Sequence, residues 1–416
     1  MNAKRLLLSF ILFVSAFSLS AQEYNGYIVK FHSDKAMEMA FDDIKNLGEV
    51  RPLNLSFGPF AQVDIDAKSL EHVKSMPGVA YIEPNWIVTL DNTLAELEEE
   101  YFDKAVNEPS FDQQWGLRND GRNSGSWWRR GREGEDVNAL QAWELAKGDR
   151  EIIIAVIDTG IDYTHEDLAE NMWTNEEGHF GYNFVNDTPD PMDGNGHGTH
   201  CAGVIGAAHN GVGIAGMMAD VRMMALKFLS DSGRGDTAGA IQSIDYAIQN
   251  GAHIMSNSWG GGGFSEALKE VIELANDHGI VFVAAAGNSN ANTDNRPMYP
   301  AGYDVENIIS VGAMDGRGNR SSFSNYGANS VHVFAPGSNI YSTVQNNRYR
   351  NLSGTSMAAP FVSGAIGLLL ESERNLSPVE IRERVMDTAV RTEYLGDDVS
   401  LSGRLDTHRL LTNQID

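Results

Sequence analysis

The hydrophobic positions of this chain keep two different rhythms, with a polar stretch between them. In residues 24–90, GYIVKF (26–31) and FAQVDID (60–66) alternate with period two, and VAYIEPNWIV (79–88) closes the stretch as a further strand. AMEMAFDDIKNLG (36–48) and AKSLEHVKSMPG (67–78) repeat apolar residues at helical spacing, and each ends in glycine. These features predict a compact α+β unit. From about Asp112 the rhythm changes. EIIIAVIDTG (151–160), DVRMMALKF (220–228), AHIMSNSW (252–259), IVFVAAAGN (280–288) and NIISVGAMD (307–315) are near-continuous apolar runs, as in strands buried on both faces. Helical stretches lie between them: TAGAIQSIDYAIQNG (237–251), and SEALKEVIELANDHG (265–279) with Leu268, Val271, Ile272 and Ala275 on one face. Strand–helix alternation predicts an α/β domain, a parallel sheet with helices on both faces and its chemistry at the carboxyl ends of the strands. Residues 91–111, which include the acidic run LAELEEE, are expected to be a linker between the two units.

Composition narrows the function. With 31 basic and 57 acidic residues the formal net charge is −26, which disfavours nucleic acid and anionic membrane as partners. The one cysteine, Cys201, excludes an intramolecular disulfide. At the start, Lys4 and Arg5 precede the apolar run LLLSFILFVSAF and then the small residues Ser18, Ser20 and Ala21. That order is expected of a secretory signal peptide spanning 1–21, because the run is shorter than the ~20 residues that span a bilayer. The expected destination is the periplasm or the extracellular medium, with no membrane attachment after signal removal.

Three short motifs carry the candidate chemistry. Asp158 ends a strand in VIDTGID (156–162), His197 opens a small-residue helix in GNGHGTHCAG (194–203), and Ser356 begins a helix in SGTSMAAP (353–360). Taken singly, each has a plainer role: a capping carboxylate, a metal ligand beside His200 and Cys201, a serine cap. Taken together they describe acyl transfer. A serine hydroxyl needs a base to take its proton, histidine has the pKa for that task, and a buried aspartate fixes the imidazole and stabilises its charged form. The oxyanion would be received by the Ser356 backbone N–H at the helix start and by Asn288, which follows the strand IVFVAAAG.

With these residues the chain resembles the secreted subtilisin-like serine proteases. The motifs DTGID, HGTHCAG, SWGG, AAAGN and GTSMAAP occur in that family's order, over roughly residues 112–416. The resemblance implies a subtilisin-like parallel sheet of the seven-stranded type. It is preceded by a small ferredoxin-like propeptide (22–90) that acts as an intramolecular inhibitor and is cut off between about residues 87 and 112. The implied activity is that of a serine endopeptidase on polypeptide substrates, acting as a monomer. Substrate would add as a strand to Ser232, Gly233, Arg234 and Gly235 on one side and to Ser258, Trp259 and Gly260 on the other. The first specificity pocket would be walled by Trp259, Gly260, Gly261 and by Ala285, Ala286, Gly287, and such small walls suggest a wide slot for a bulky apolar side chain. The resemblance further implies structural calcium, held by Asp167, Asn210 and the carbonyls of Ala208, Val212 and Ile214. A second calcium is expected from Asp187, Asp190 and Asp193 in the acidic loop 186–195, where a solvated turn is the equal alternative. Relatives have a cis peptide at the position of Tyr299-Pro300.

Two competing functions remain open to the sequence: a catalytically silent binding module on the same fold, and a metal-dependent hydrolase using His197, His200 and nearby aspartates. Residues 121–136, with their WWRR cluster, stand out as an insertion expected to form a packed loop. GMMAD (216–220) replaces a turn that usually contains proline in the family.

Overall fold

A computed structural model describes residues 22–90, 108–122, 130–395 and 403–415. The expected signal segment, the linker at 91–107 and residues 123–129 of the insertion lie outside the described residues.

The N-terminal unit runs β1 (Tyr24–Phe31), α1 (Asp34–Lys45), β2 (Gly48–Leu55), β3 (Gly58–Ile65), α2 (Ala67–Lys74) and β4 (Val79–Thr89). Its strands are antiparallel in the order β2-β3-β1-β4, which is the ferredoxin-like arrangement. Ser33 caps α1 by accepting from Ala36 N, and Asp66 caps α2 by accepting from Ser69 N. Tyr27, Val29, Phe31, Ile44, Ala61, Val63 and Val73 form a small core between helices and sheet. Strand β2 was not expected from the sequence. Pro52 interrupts its alternation and only Leu53 in it is buried, so its apolar signal is weak.

The larger body contains a short helix α3 (Ala139–Ala142), then β5 (Gly148–Asp158), β6 (Gly181–Asn183), α4 (His197–Gly206), β7 (Asp220–Lys227), β8 (Arg234–Asp236), α5 (Thr237–Gln249), β9 (Ile254–Asn257), α6 (Glu266–Asp277), β10 (Val281–Ala285), β11 (Ile308–Met314) and β12 (Val333–Pro336). A hairpin, β13 (Ile340–Val344) with β14 (Arg348–Leu352), precedes the long helix α7 (Thr355–Ser372). Seven strands form a parallel sheet in the order β12-β11-β10-β9-β5-β7-β6. Every residue of β5 from Ile152 to Asp158 is buried, and the side chains divide by parity. Ile152, Ile154 and Val156 join one core with α4 and α7, while Ile153, Ala155 and Ile157 join the other with α5 and α6.

The body begins earlier than the expected residue 112. Glu108 and Phe111 are buried, and Ser110 N donates to Gly213 O at 2.8 Å, so residues 108–111 are packed chain. The described part of the insertion is likewise tied down. Arg132 lies 3.4 Å from the centroid of the Tyr394 ring, and Asp136 accepts from Asn119 N and Asn138 N. Met217 and Met218 in the GMMAD segment are fully buried. The Tyr299-Pro300 peptide bond is cis.

The two units share one continuous sheet. Strand β4 pairs antiparallel with β8, so the N-terminal sheet is extended by a strand of the body. Ile28, Leu53 and Phe60 sit in the same apolar cluster as residues of α5 and α6. Polar contacts close the seam at the starts of those helices. Glu83 accepts from Ser265 Oγ, Glu266 N and Ala267 N at the start of α6, and Asn85 Oδ1 accepts from Ala238 N in the first turn of α5. Lys30 pairs with Glu270 at 2.6 Å.

Candidate active site

Asp158 is the last residue of β5 and is wholly buried. Its Oδ1 accepts from its neighbour Thr159 N at 2.7 Å and from His197 Nδ1 at 2.8 Å, with Oδ2 at 3.0 Å from the same nitrogen. A carboxylate can only accept, so Nδ1 carries the proton and Nε2 is the basic face of the ring. The contact is close because Gly198 lets α4 approach β5: a Cβ there would lie 2.1 Å from Gly160 O. Burial disfavours the charged imidazole, but the Asp158 carboxylate outweighs it and holds the His197 pKa well above the ordinary histidine value.

Helix α4 has no side-chain cap of its own, since Gly196 occupies the cap position at φ 105°. Asp193 takes over that task. Its Oδ1 accepts from Asn195 N and Gly196 N, and its Oδ2 from Thr199 N and Thr199 Oγ1, at 2.6–3.0 Å. The residue expected as a calcium ligand is therefore the anchor of the histidine helix. Asp187 accepts from Tyr182 OH and Asp190 from Tyr163 OH. The three carboxylates do not converge. Among the described residues the only three groups of metal-binding type that lie mutually within 4.8 Å are Asp158, His197 and Cys201. That trio does not suit a metal, because the His197 Nδ1 proton fills the space between ring and carboxylate and burial pushes the Cys201 thiol up. His200 faces elsewhere: its Nε2 donates to Ile340 O and Arg350 O, and burial lowers its pKa to about 3.

Ser356 lies in the first turn of α7, buried to 5% exposure. Its Oγ donates to Ser258 O at 3.0 Å. Pro360, one turn on, has no N–H for the Ser356 carbonyl. That carbonyl instead accepts from Ser258 Oγ at 2.9 Å and from Cys201 Sγ at 3.4 Å, so serine, histidine helix and substrate edge are stitched together. Cys201 Sγ also lies 3.9 Å from His197 Nδ1. Asn288 follows β10. Its Oδ1 accepts from Thr355 N at 2.8 Å and Thr355 Oγ1 at 3.0 Å, which orients its amide donor away from α7's first residue.

The expected substrate edges flank a strand that is already present. Val88 and Thr89 pair with Gly235 and Arg234, Leu90 N donates to Gly233 O at 3.0 Å, and Thr89 bridges Gly260 on the opposite side. Ser232 sits at the turn before β8, its hydroxyl 2.9 Å from Ser230 Oγ. Val88 and Leu90 are buried in the cluster that holds Phe228, Leu229 and Trp259. Between the two expected walls lies Met298. A Cβ on Gly287 would lie 2.1 Å from Met298 Sδ, and one on Gly260 would lie 2.9 Å from Met298 Cε. Asn325 Nδ2 holds the same sulfur at 3.4 Å. Buried Ala285 and Ala286 complete that wall, and Gly261 N donates to Tyr299 O. Met298 thus packs where Gly260 and Gly287 leave room, and it was not foreseen because no motif pattern marks it.

Beyond the other end of α4, the loop 208–214 is bracketed by two carboxylates. Asp167 Oδ2 accepts from Ile214 N and Tyr349 OH, both at 2.9 Å, and Glu108 Oε1 accepts from Gly211 N at 3.1 Å. Asp167 Oδ1 and Glu108 Oε2 are buried with no hydrogen-bond partner. Burial lifts the Asp167 pKa to about 6. Two unsatisfied acid oxygens beside a carbonyl-rich turn match the donor set of a hard divalent cation. Asn210 Oδ1 accepts from Val212 N inside that turn, and Ala208 N donates to Asp167 O. Glu108 was not foreseen, since an acid before proline reads as more of the acidic linker.

The subtilase family model (peptidase S8) matches residues 149–408. Thermitase of Thermoactinomyces vulgaris is 41% identical over 263 residues, covering 63% of this chain and 89% of thermitase. A thermophilic serine proteinase of Bacillus sp. strain AK1 is 41% identical over 272 residues, 65% of this chain and 64% of that protein. An alkaline protease of Alkalihalobacillus alcalophilus is 32% identical over 391 residues, covering 93% of this chain and 92% of its own length. Among solved structures, fervidolysin of Fervidobacterium pennivorans, described as a keratinolytic enzyme related to subtilisin, superposes with a TM-score of 0.75 at 26% identity, over 96% of this chain and 62% of that one. The chain belongs to the subtilase family of serine peptidases.

Proposed function

We propose that this protein is a secreted serine endopeptidase, made as a self-processing zymogen whose residues 22–90 are an inhibitory propeptide. The observation that carries the reading is the Asp158–His197 contact at 2.8 Å beside a serine whose carbonyl is bonded into the same cluster. In the reaction, the Ser356 hydroxyl turns from Ser258 O toward His197 Nε2, which takes its proton as Oγ attacks the substrate carbonyl. Asp158 stabilises the imidazolium. The oxyanion is received by Ser356 N–H and the Asn288 amide, which Thr355 holds in place before the charge develops. Broad specificity follows from main-chain pairing on both edges, with apolar side chains favoured at the positions of Val88 and Leu90. Met298 makes the first pocket shallower than the walls alone suggest, so compact side chains before the cut bond are favoured over large ones.

The calcium site that fits is the loop 208–214 with Asp167, Asn210, Glu108 and the carbonyls of Ala208, Val212 and Ile214. The ion would neutralise two buried acids and pin the loop that follows the histidine helix. Among the described residues no helix is long and apolar enough to cross a membrane.

The test is the Ser356→Ala protein, expected to lose about 10⁴-fold or more in kcat/KM and to keep its propeptide attached. Wild-type protein should react with a fluorophosphonate at Ser356. A folded wild type that neither labels nor cleaves peptides would favour the silent binding module.

A further inference from the structure

Alternate side chains of β4 face the body, and the third of them meets a surface outside both expected substrate edges. Leu90 and Val88 are buried in the cluster with Phe228, Leu229 and Trp259. Trp86 has the same parity, so it lies on that face two residues earlier. It packs on Gly262 and Gly263, which continue the edge that Gly260 opens opposite Thr89. A Cβ on Gly262 would lie 2.8 Å from Trp86 Cβ, and one on Gly263 would lie 2.7 Å from both Cε2 and Cζ2 of the indole. Trp86 Nε1 donates to Phe264 O at 3.2 Å. The Phe264 ring is 49% exposed and stands edge-on to Tyr299 and Tyr303, with centroids 5.6 and 5.5 Å away. Two positions without side chains, one carbonyl acceptor and an aromatic rim match a flat ring that carries one N–H.

From this geometry we propose that Gly262, Gly263 and Phe264 form a remote specificity subsite, which selects an aromatic side chain, tryptophan best, in the polypeptides this enzyme cleaves. The proposal rests on the endopeptidase reading above and adds a substrate preference to it. The selected residue stands four positions before the one whose N–H donates to Gly233 O, as Trp86 stands before Leu90. A substrate strand paired to both edges, at 233–236 and at Gly260, is carried along Gly262 and Gly263 in the same main-chain register. Its alternate side chains then arrive where Leu90, Val88 and Trp86 now sit. Phenylalanine keeps the contact area over the two glycines and loses the hydrogen bond to Phe264 O, whereas alanine loses both. The N-terminal unit adds Tyr24 against the indole, with ring centroids 6.0 Å apart, so it closes the subsite more fully than a substrate does.

The experiment takes the protein after its own processing and tests the peptide of residues 83–90, acetylated and amidated, as a competitor of a short reporter peptide. The inhibition constant should rise at least fivefold for the Trp86→Ala peptide, with the Trp86→Phe peptide between the two. In a Gly263→Leu protein the added side chain fills the subsite, and the backbone there lies outside the left-handed region that would strain it. The tryptophan and alanine peptides should then inhibit within twofold of each other. General damage to the cleft would weaken both peptides and keep their ratio, so the ratio isolates the subsite. A ratio below fivefold in wild-type protein, or a ratio that persists undiminished in Gly263→Leu, overturns the proposal. If wild-type protein cleaves the reporter yet does not discriminate the peptides, only the subsite is wrong. If it leaves the reporter intact, the endopeptidase reading fails and the subsite falls with it.

Discussion

Helix α4 is flanked by two loops held by buried carboxylates, and those carboxylates are treated in opposite ways. Before the helix, Asp193 is buried but accepts four hydrogen bonds, from Asn195 N, Gly196 N, Thr199 N and Thr199 Oγ1. Around the loop after it, Asp167 and Glu108 are also buried, yet each keeps one oxygen with no partner. The first loop carries its acids in its own sequence, whereas the second borrows Asp167 and Glu108 from elsewhere in the chain and has the unmet electrostatic demand. What distinguishes a cation site from a structural acid is whether protein donors have already satisfied the oxygens. Acid density along the chain does not report that.

The largest expected effect comes from removing the satisfied acid. Asp193→Ala leaves four donors unmet at the start of the histidine helix, and should cost on the order of 3 kcal/mol in stability. His197 would shift with its helix, lowering kcat/KM by roughly 100-fold. Wild-type activity in this variant, read on a short peptide amide, would break the contrast between the loops.

Chelation should act on the second loop. Ion bound at a hundredfold excess over its Kd stabilises by about 2.7 kcal/mol, which corresponds to roughly 5–10 °C in Tm. The shift should vanish in an Asp167→Asn, Glu108→Gln protein and persist in Asp193→Ala. The sign with pH is also set. The Asp167 pKa is raised from its usual carboxylate value to about 6, so the chelated protein is most stable below pH 4 as far as this group is concerned. It should lose stability as pH rises from about 4 to about 6, where the unfolded carboxyl has already ionised and the folded one has not, while the calcium-loaded protein should not. Equal pH profiles with and without chelator would remove Asp167 from the site.

A smaller effect separates catalysis from either loop. The raised pKa of His197 places the acid limb of kcat/KM above pH 6.5, activity falling as the imidazole takes a proton. In a brief assay that midpoint should be the same with calcium or chelator. The smallest effect is expected of Asp187→Asn and Asp190→Asn, within about 0.5 kcal/mol and with the calcium response unchanged.

Much of the fold could be read from periodicity because burial itself writes the pattern. EIIIAVID is apolar throughout since both faces of β5 are covered, and Leu268, Val271, Ile272 and Ala275 mark the buried face of α6. Strand β2 stayed hidden because its residues are mostly exposed and include Pro52. Asp158 and His197 could be paired from their motifs, whose glycines are there to let backbones meet. Glu108, Tyr349 and Met298 could not, since each acts across a long sequence separation on a residue with an unrelated local pattern. The function of Asp193 was hidden for a subtler reason: the same carboxylate suits a cation or a row of amides, and only the positions of Gly196 and Thr199 decide between them.

Thr89 and its neighbours fill both edges of the cleft from within one polypeptide. A tethered segment competes at an effective concentration in the millimolar range, which few free substrates reach. Severing the connection changes the order of the equilibrium from first to second. Release then depends on dilution, so the same molecule would stay silent where it is crowded and become active where it disperses.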